Sequence, residues 1–251
     1  MSSLQLPASL PPEVALALRD FCTHSQQGFG DHLISLVLFG SAAEGRMRAT
    51  SDVNLLVVLR EFDATRVDAI RESVRTAWAA VQLRPMFVLE SELPAAAGAF
   101  AVKFSDILGR RQVLFGSDPF ATITIPRAMI IHRLRQVLLN TTLRMRTTYA
   151  LVSLREEQLA AEIADASAPL RSSAQALLAL EGHPAASPKE ALAMLCASLP
   201  APAGANWTEL LNQISIAREN AVLPPGIAPA AMLRLIDLAR AISRRVDSLA
   251  A

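Results

Sequence analysis

Leu33-Ile34-Ser35-Leu36-Val37-Leu38-Phe39-Gly40-Ser41 and, ten intervening residues later, Asp52-Val53-Asn54-Leu55-Leu56-Val57-Val58-Leu59 decide how this chain folds. The first run is apolar and rich in β-formers, and Gly40 bounds it, so it reads as a buried strand. Ser41 is placed to cap a brief helix through Ala42, Ala43 and Glu44 before Gly45. A second strand is expected from Asp52 to Leu59. Strand side chains alternate, so Asp52 and Asn54 share one face, and Val53, Leu55 and Val57 share the other. The polar pair therefore returns to the end of the sheet where Gly40 and Ser41 turn. Such a turn can offer backbone N–H groups and the Ser41 hydroxyl to phosphate oxygens, while Asp52 can offer oxygen to a hard cation.

Around this stretch the chain reads as alternating strands and helices, then helices alone. Residues 1 to 10 read as a loose arm. Pro11-Pro12 can open a helix whose inner face is Val14, Leu18, Phe21 and Cys22, closed by Gly28 and Gly30. Ala64 to Gln82 reads as a second helix, with Val67, Ile70, Val74, Ala77, Trp78 and Val81 inward; Trp78 is expected in the core. Leu83 to Leu89 reads as a strand that Ser91-Glu92-Leu93-Pro94 breaks, starting a short helix. Ala99 to Leu108 stays ambiguous. Arg111 to Phe115 reads as the last strand, ended by the turn cluster Gly116-Ser117-Asp118-Pro119. This alternation predicts a small mixed sheet backed by helices.

The composition shifts near Ile125-Pro126. From there to Asp165 the chain reads as one long helix, made basic by Arg127, Arg133, Arg135, Arg144, Arg146 and Arg155. Its charges read either as a solvated surface or as a face for phosphate or RNA. Ala168-Pro169 is expected to start another helix that ends at Gly182. Ser187-Pro188-Lys189-Glu190 is a capping box with proline at the first helical position, and Asn206-Trp207-Thr208-Glu209 offers a second cap. The last helix, opened by Ala228-Pro229, carries the inner stripe Met232, Leu235, Ile236, Ala239, Ile242 and Val246. The second half is thus a bundle of about five helices.

The chain of 251 residues is long enough for a substantial core. Its formal net charge of +1 gives no broad electrostatic case for nucleic acid, which is not an expected partner. Hydrophobic residues make up 52% of the chain, yet no run approaches the roughly 18 apolar residues of a membrane span. The N-terminus lacks a basic start and a cleavable apolar core, so the expectation is a cytoplasmic protein without a membrane partner. Cys22 and Cys196 fall in helical pattern and read as buried thiols. His132 and His183 have no partners at ligand spacing. The chain has no Gly-Lys-Ser/Thr loop of the P-loop kind.

Leu38-Phe39-Gly40-Ser41, followed eleven positions after Ser41 by Asp52-Val53-Asn54-Leu55-Leu56, resembles the signature of the DNA polymerase beta-like nucleotidyltransferase superfamily. The aminoglycoside and minimal nucleotidyltransferases are the members it looks most like. The resemblance covers about residues 30 to 120. It implies an α+β protein: a small mixed-sheet nucleotidyltransferase domain, residues 1–125, followed by an all-α helical bundle domain, residues 126–251. It further implies an NTP such as ATP, and Mg²⁺ or Mn²⁺ held by Asp52 and Asn54, the catalytic and metal-binding pair. Gly40 and Ser41 would cradle the phosphates with Arg46; Arg46 and Arg48 read otherwise as solvated loop arginines. In such families the helices form the acceptor wall or pair subunits, so a homodimer is among the expectations, and the acceptor is a small molecule or a protein.

The sequence departs from that pattern at two places. Active members present two acids on the second strand and a third on a later one. Here position 54 is Asn, neutral though still able to ligate, and the strand Leu83 to Leu89 has no carboxylate in its interior. Glu44, Glu90, Glu92 and Asp106 are the acids nearby. Three functions stay open on the sequence: NMP transfer from an NTP to a hydroxyl, nucleotide binding without transfer, and a helical interaction protein on a nucleotidyltransferase scaffold.

Overall fold

A computed structural model describes residues 4–47, 51–202 and 206–249. Its contacts divide the chain into two compact units, Met1–Ile125 and Pro126–Ala251. In the first unit, α1 (Pro12–Phe29), β1 (Leu33–Phe39), β2 (Val53–Leu59), α2 (Ala64–Val81), β3 (Leu83–Leu89), α3 (Leu93–Ala99), α4 (Ala101–Gly109) and β4 (Arg111–Gly116) follow one another. The strands form one sheet in the order β3-β2-β1-β4. β1 is antiparallel to both its neighbours and β2 runs parallel to β3, so the sheet is mixed.

Both faces of the sheet are covered, which is why β1 and β2 read as continuous apolar runs. On one face Leu36, Leu38, Val53, Leu55, Val57 and Leu59 pack with Leu18, Phe21 and Phe29 of α1 and Ile70 and Ala77 of α2. On the other, Val37, Phe39, Leu56 and Val58 pack with Leu93 and Ala97 of α3 and Phe104 and Ile107 of α4. Pro85 lacks the N–H an interior strand needs, and β3 lies at the sheet edge, where that is tolerated. Gly116 closes β4 at φ +80°, and a Cβ there would lie 2.0 Å from the Ile34 carbonyl oxygen, so no other residue fits.

Several expectations change in this unit. The N-terminal arm is pinned: the Gln5 N–H donates to the Leu114 carbonyl at 3.0 Å, and Leu10 is buried. Ser41 to Gly45 form a run of turns, not a short helix. The stretch left ambiguous is helical from Ala101 to Gly109. Trp78 is 48% exposed instead of buried. It lies near the end of α2, beside the inward stripe in which Ala77 and Val81 pack on the core.

The second unit contains α5 (Arg127–Val152), α6 (Glu156–Leu180), α7 (Pro188–Ser198), α8 (Trp207–Asn220) and α9 (Ala228–Ser248). The long helix expected to Asp165 stops at Val152, where Ser153, Leu154 and Arg155 turn the chain back so that α6 packs along α5. No Gly or Pro marks that break; the burial of Leu159, Ile163 and Leu170 within the bundle compensates for the turn. Pro169 does not start a helix but sits inside α6. It forfeits one main-chain bond, while nearby hydroxyls bond locally: Ser167 to Ala164 and Ser172 to Ala168. Ser187 and Asn206 cap α7 and α8 through their side chains. The apolar stripe of α9 is buried throughout. The arginines of α5 are largely engaged within the bundle, Arg135 with Asp247 at 2.7 Å and Arg144 with Glu162 at 2.8 Å.

Candidate functional site

At one end of the sheet the strand register lines up a row of side chains. Phe39 of β1 is opposite Asn54 of β2 and Arg111 of β4, and Asn54 is in turn beside Arg84 of β3. Paired residues face the same side of a sheet. The row Arg84, Asn54, Phe39, Arg111 thus presents two guanidinium groups, one amide and no carboxylate.

Gly40 follows Phe39 with φ +75°, a left-handed conformation that glycine adopts without strain. The space where a side chain would begin is 3.9 Å from the Asn54 Nδ2. The Gly40 N–H is not available to a ligand, because it donates to the Arg110 carbonyl at 3.1 Å. Glu44, Gly45 and Arg46 likewise spend their N–H groups inside the turn. Among the described residues, the N–H groups of Ser41, Ala42 and Ala43 have no backbone acceptor; Ala42 is fully buried, which leaves Ser41 and Ala43 as the donors a phosphate could meet.

Asp52 lies just before β2, with its side chain 34% exposed. Its Oδ2 is 3.2 Å from Nε of Arg84. Arg84 is itself laid over the Trp78 indole, its Cζ 5.0 Å from the ring centroid. The Asn54 amide lies 3.5 Å from the Asp52 carbonyl oxygen, a contact too long to fix it. The carboxylate expected to hold a cation is therefore already beside one.

The turn carries a second charge cluster. Arg110 donates to Asp106 at 2.7 Å through Nε and lies 3.3 Å from Glu44, which also pairs with Arg46. Burial alone would depress the Arg110 pKa; the hydrogen bond and charge of Asp106, with those of Glu44, outweigh it and hold the pKa above the ordinary value. Glu44, Asp106 and Arg46 are thus brought together by Arg110, and not with Asp52. Arg48 lies outside the described residues. Arg111 is matched by Asp118 at 2.7 Å and covers the Phe120 ring. Glu90 and Glu92 lie beyond the far end of β3, so roughly 20 Å of strand separates Glu90 from Arg84 at about 3.3 Å per residue.

These residues do not fit a two-metal centre. Among the described residues no group of three or more His, Cys, Asp or Glu side chains is placed to share an ion. Opposite unit charges about 4 Å apart interact by roughly 4 kcal/mol gross at an effective dielectric near 20, and by about 1 kcal/mol in water. Asp52 and Arg84 are 34% and 53% exposed, so their pair falls toward the lower figure, yet a dication there must also face the guanidinium.

The sequence reading missed Arg84, Arg110 and Arg111. Arg84 does carry a local signal, as the lone charge in the apolar run Leu83 to Leu89. The pairing of Arg110 with Asp106 is a local i,i+4 contact, but its pairing with Glu44 joins residues 66 positions apart and carries no local signal.

The mixed sheet with its glycine turn between β1 and β2, followed by helices, is a fold shared with a solved adenyltransferase. The chain is similar in structure to spectinomycin adenyltransferase from Enterococcus faecialis, solved with ATP and spectinomycin, with a TM-score of 0.61. The similarity covers 90% of this chain and 99% of that one at 12% identity, and is one of fold. A stretch of 51 residues, 20% of this chain, is 45% identical to the putative protein adenylyltransferase of Methanocaldococcus jannaschii and spans 35% of that protein's length. No protein-family model matches the chain.

Proposed function

We propose that this chain binds a nucleoside triphosphate such as ATP at the Gly40–Ser41 turn and has lost efficient transfer of the nucleoside monophosphate. The phosphates rest on the Ser41 hydroxyl and on the N–H groups of Ser41 and Ala43. The observation that carries the reading is the Asp52–Arg84 pair beside the neutral Asn54. It supports binding over transfer, because activating an acceptor hydroxyl and steadying a leaving pyrophosphate with two cations needs several carboxylates converging on one point. Residues 1–125 form the nucleotide-binding domain and residues 126–251 a helical partner domain in this reading.

The local identity to a protein named for adenylyl transfer to protein favours a second reading, in which AMP moves slowly to a protein hydroxyl. One pair of measurements separates the two. A ligand at 100 times its Kd raises stability by about 2.7 kcal/mol, so ATP should shift the melting temperature by several degrees, while labelled ATP releases no pyrophosphate above a protein-free blank. ATP-dependent labelling of the chain or of an added protein would favour transfer. No melting shift with any NTP would overturn the binding reading.

A further inference from the structure

We propose that Arg84 is the built-in cation of this site, so that the pocket takes a nucleoside triphosphate as its metal-free anion. The inference rests on the nucleotide-binding reading and adds to it the charge state of the ligand. Four observations converge on Arg84. It stands next to Asn54 in the strand register, in the row that meets the glycine turn. Its Nε lies 3.2 Å from the Asp52 carboxylate, where an acidic metal site would need a cation. Its guanidinium lies over the Trp78 ring, which restrains it while leaving the side chain 53% exposed. It also precedes Pro85, whose ring holds the preceding residue extended and so limits where the side chain can start.

An ordinary surface ion pair has no need of this bracing. A guanidinium held between a carboxylate and an aromatic face is pre-organised, and its planar fork matches phosphate oxygens, which accept two N–H bonds at once. Asp52 then acts as the positioning residue for Arg84, not as a metal ligand. The neutral Asn54 follows from the same logic. A second carboxylate would draw Arg84 down onto the strand and repel the phosphates, whereas an amide can donate to them through Nδ2. The site face of β3 supplies no acid, only Arg84, Met86 and Val88.

Isothermal calorimetry on the full chain tests this, with ATP in resin-treated metal-free buffer and again with Mg²⁺. Wild-type affinity for ATP should be equal or tighter without metal, since the free anion carries more negative charge than its magnesium complex. Arg84→Gln should weaken metal-free ATP binding by about tenfold or more, and Arg84→Lys, which keeps the charge but not the fork, should fall between. Adenosine, lacking the phosphates, should bind all three alike. Wild-type binding that requires Mg²⁺ would overturn the inference while leaving the nucleotide-binding reading intact, and it is measured without any variant. An Arg84→Gln chain that is folded by circular dichroism and binds metal-free ATP like wild type would overturn it too. Absence of ATP binding in both buffers would overturn the reading itself.

Discussion

Rebuilding the acidic site tests the geometry from the opposite direction. Asp52, position 54 and Arg84 carry −1, 0 and +1, a sum of zero. Asn54→Asp brings the sum to −1 with almost no change of shape, and Asn54→Asp with Arg84→Gln brings it to −2. A dication about 4 Å from one unit charge gains roughly 2 kcal/mol in water and about 8 kcal/mol at an effective dielectric of 20. Asp52 and Arg84 are substantially exposed, so the water limit is the safer guide. Each step should tighten Mn²⁺ binding by at least about 2 kcal/mol, roughly 30-fold. The assay is the electron resonance of free Mn²⁺ titrated with protein near pH 8. The order expected is wild type weakest, Asn54→Asp next, and the double variant tightest, with Asp52→Asn removing the gain. Equal Mn²⁺ affinity in all three chains would mean that positions 52, 54 and 84 do not face a common point, and the site as drawn would be wrong. A gain that survives Asp52→Asn would refute it as well.

Three further outcomes follow from the charges and turns around the sheet. Arg110→Met strips Glu44 and Asp106 of their shared partner, so it should destabilise the first unit by about 2 to 3 kcal/mol, read as a lower urea midpoint at unchanged slope. The Asp118 carboxyl is held below the ordinary range, first by its hydrogen bond from Arg111, against burial, and with help from the Phe120 N–H. Its folded pKa is depressed, so its stabilisation is present above about pH 3.8 and lost as pH falls through the folded value; Asp118→Asn should lower the melting temperature at pH 7, and the gap from wild type should close on acidification below that point. Limited proteolysis should cut first in Ala121 to Thr124, an exposed stretch before Pro126, giving fragments near residues 1–122 and 123–251; primary cleavage inside α5 would contradict the proposed domain boundary.

The strands and most helix starts were legible because their causes are local. Continuous apolar runs bounded by glycine mark β1 and β2, and the caps at Ser187 and Asn206 need only a few neighbouring residues. What the sequence misjudged depended on partners far along the chain. The break after Val152 is set by α6 folding back along α5, and Pro169 is tolerated because the residues after it are buried. Trp78 followed the inward period of α2, yet Ala77 and Val81 take the core-facing places around it, and its ring lies beside Arg84. For the site, spacing alone brought Gly40, Asp52 and Asn54 to one end of the sheet. It could not supply Arg84, because the β2–β3 register that puts it beside Asn54 exists only once α2 has carried the chain across.

That register also explains how a fold of this kind can change its chemistry without changing its shape. Leu55, Leu56, Val57 and Val58 in the middle of β2 are fully buried, and a charge at any of them would cost several kcal/mol unless paired. Asp52, Asn54 and Arg84 sit at the strand ends, part exposed, where packing constrains size only weakly and charge hardly at all. A carboxylate exchanged for an amide there removes one unit of charge without disturbing the core, and an arginine on the next strand adds one in the opposite sense. The hydrophobic interior therefore preserves the glycine turn and the row that meets it, while the sign of the pocket is set by a few exposed side chains. An anion site can follow from a cation site by such exchanges at fixed backbone, provided the new positive group is held in place as Asp52 and Trp78 hold Arg84.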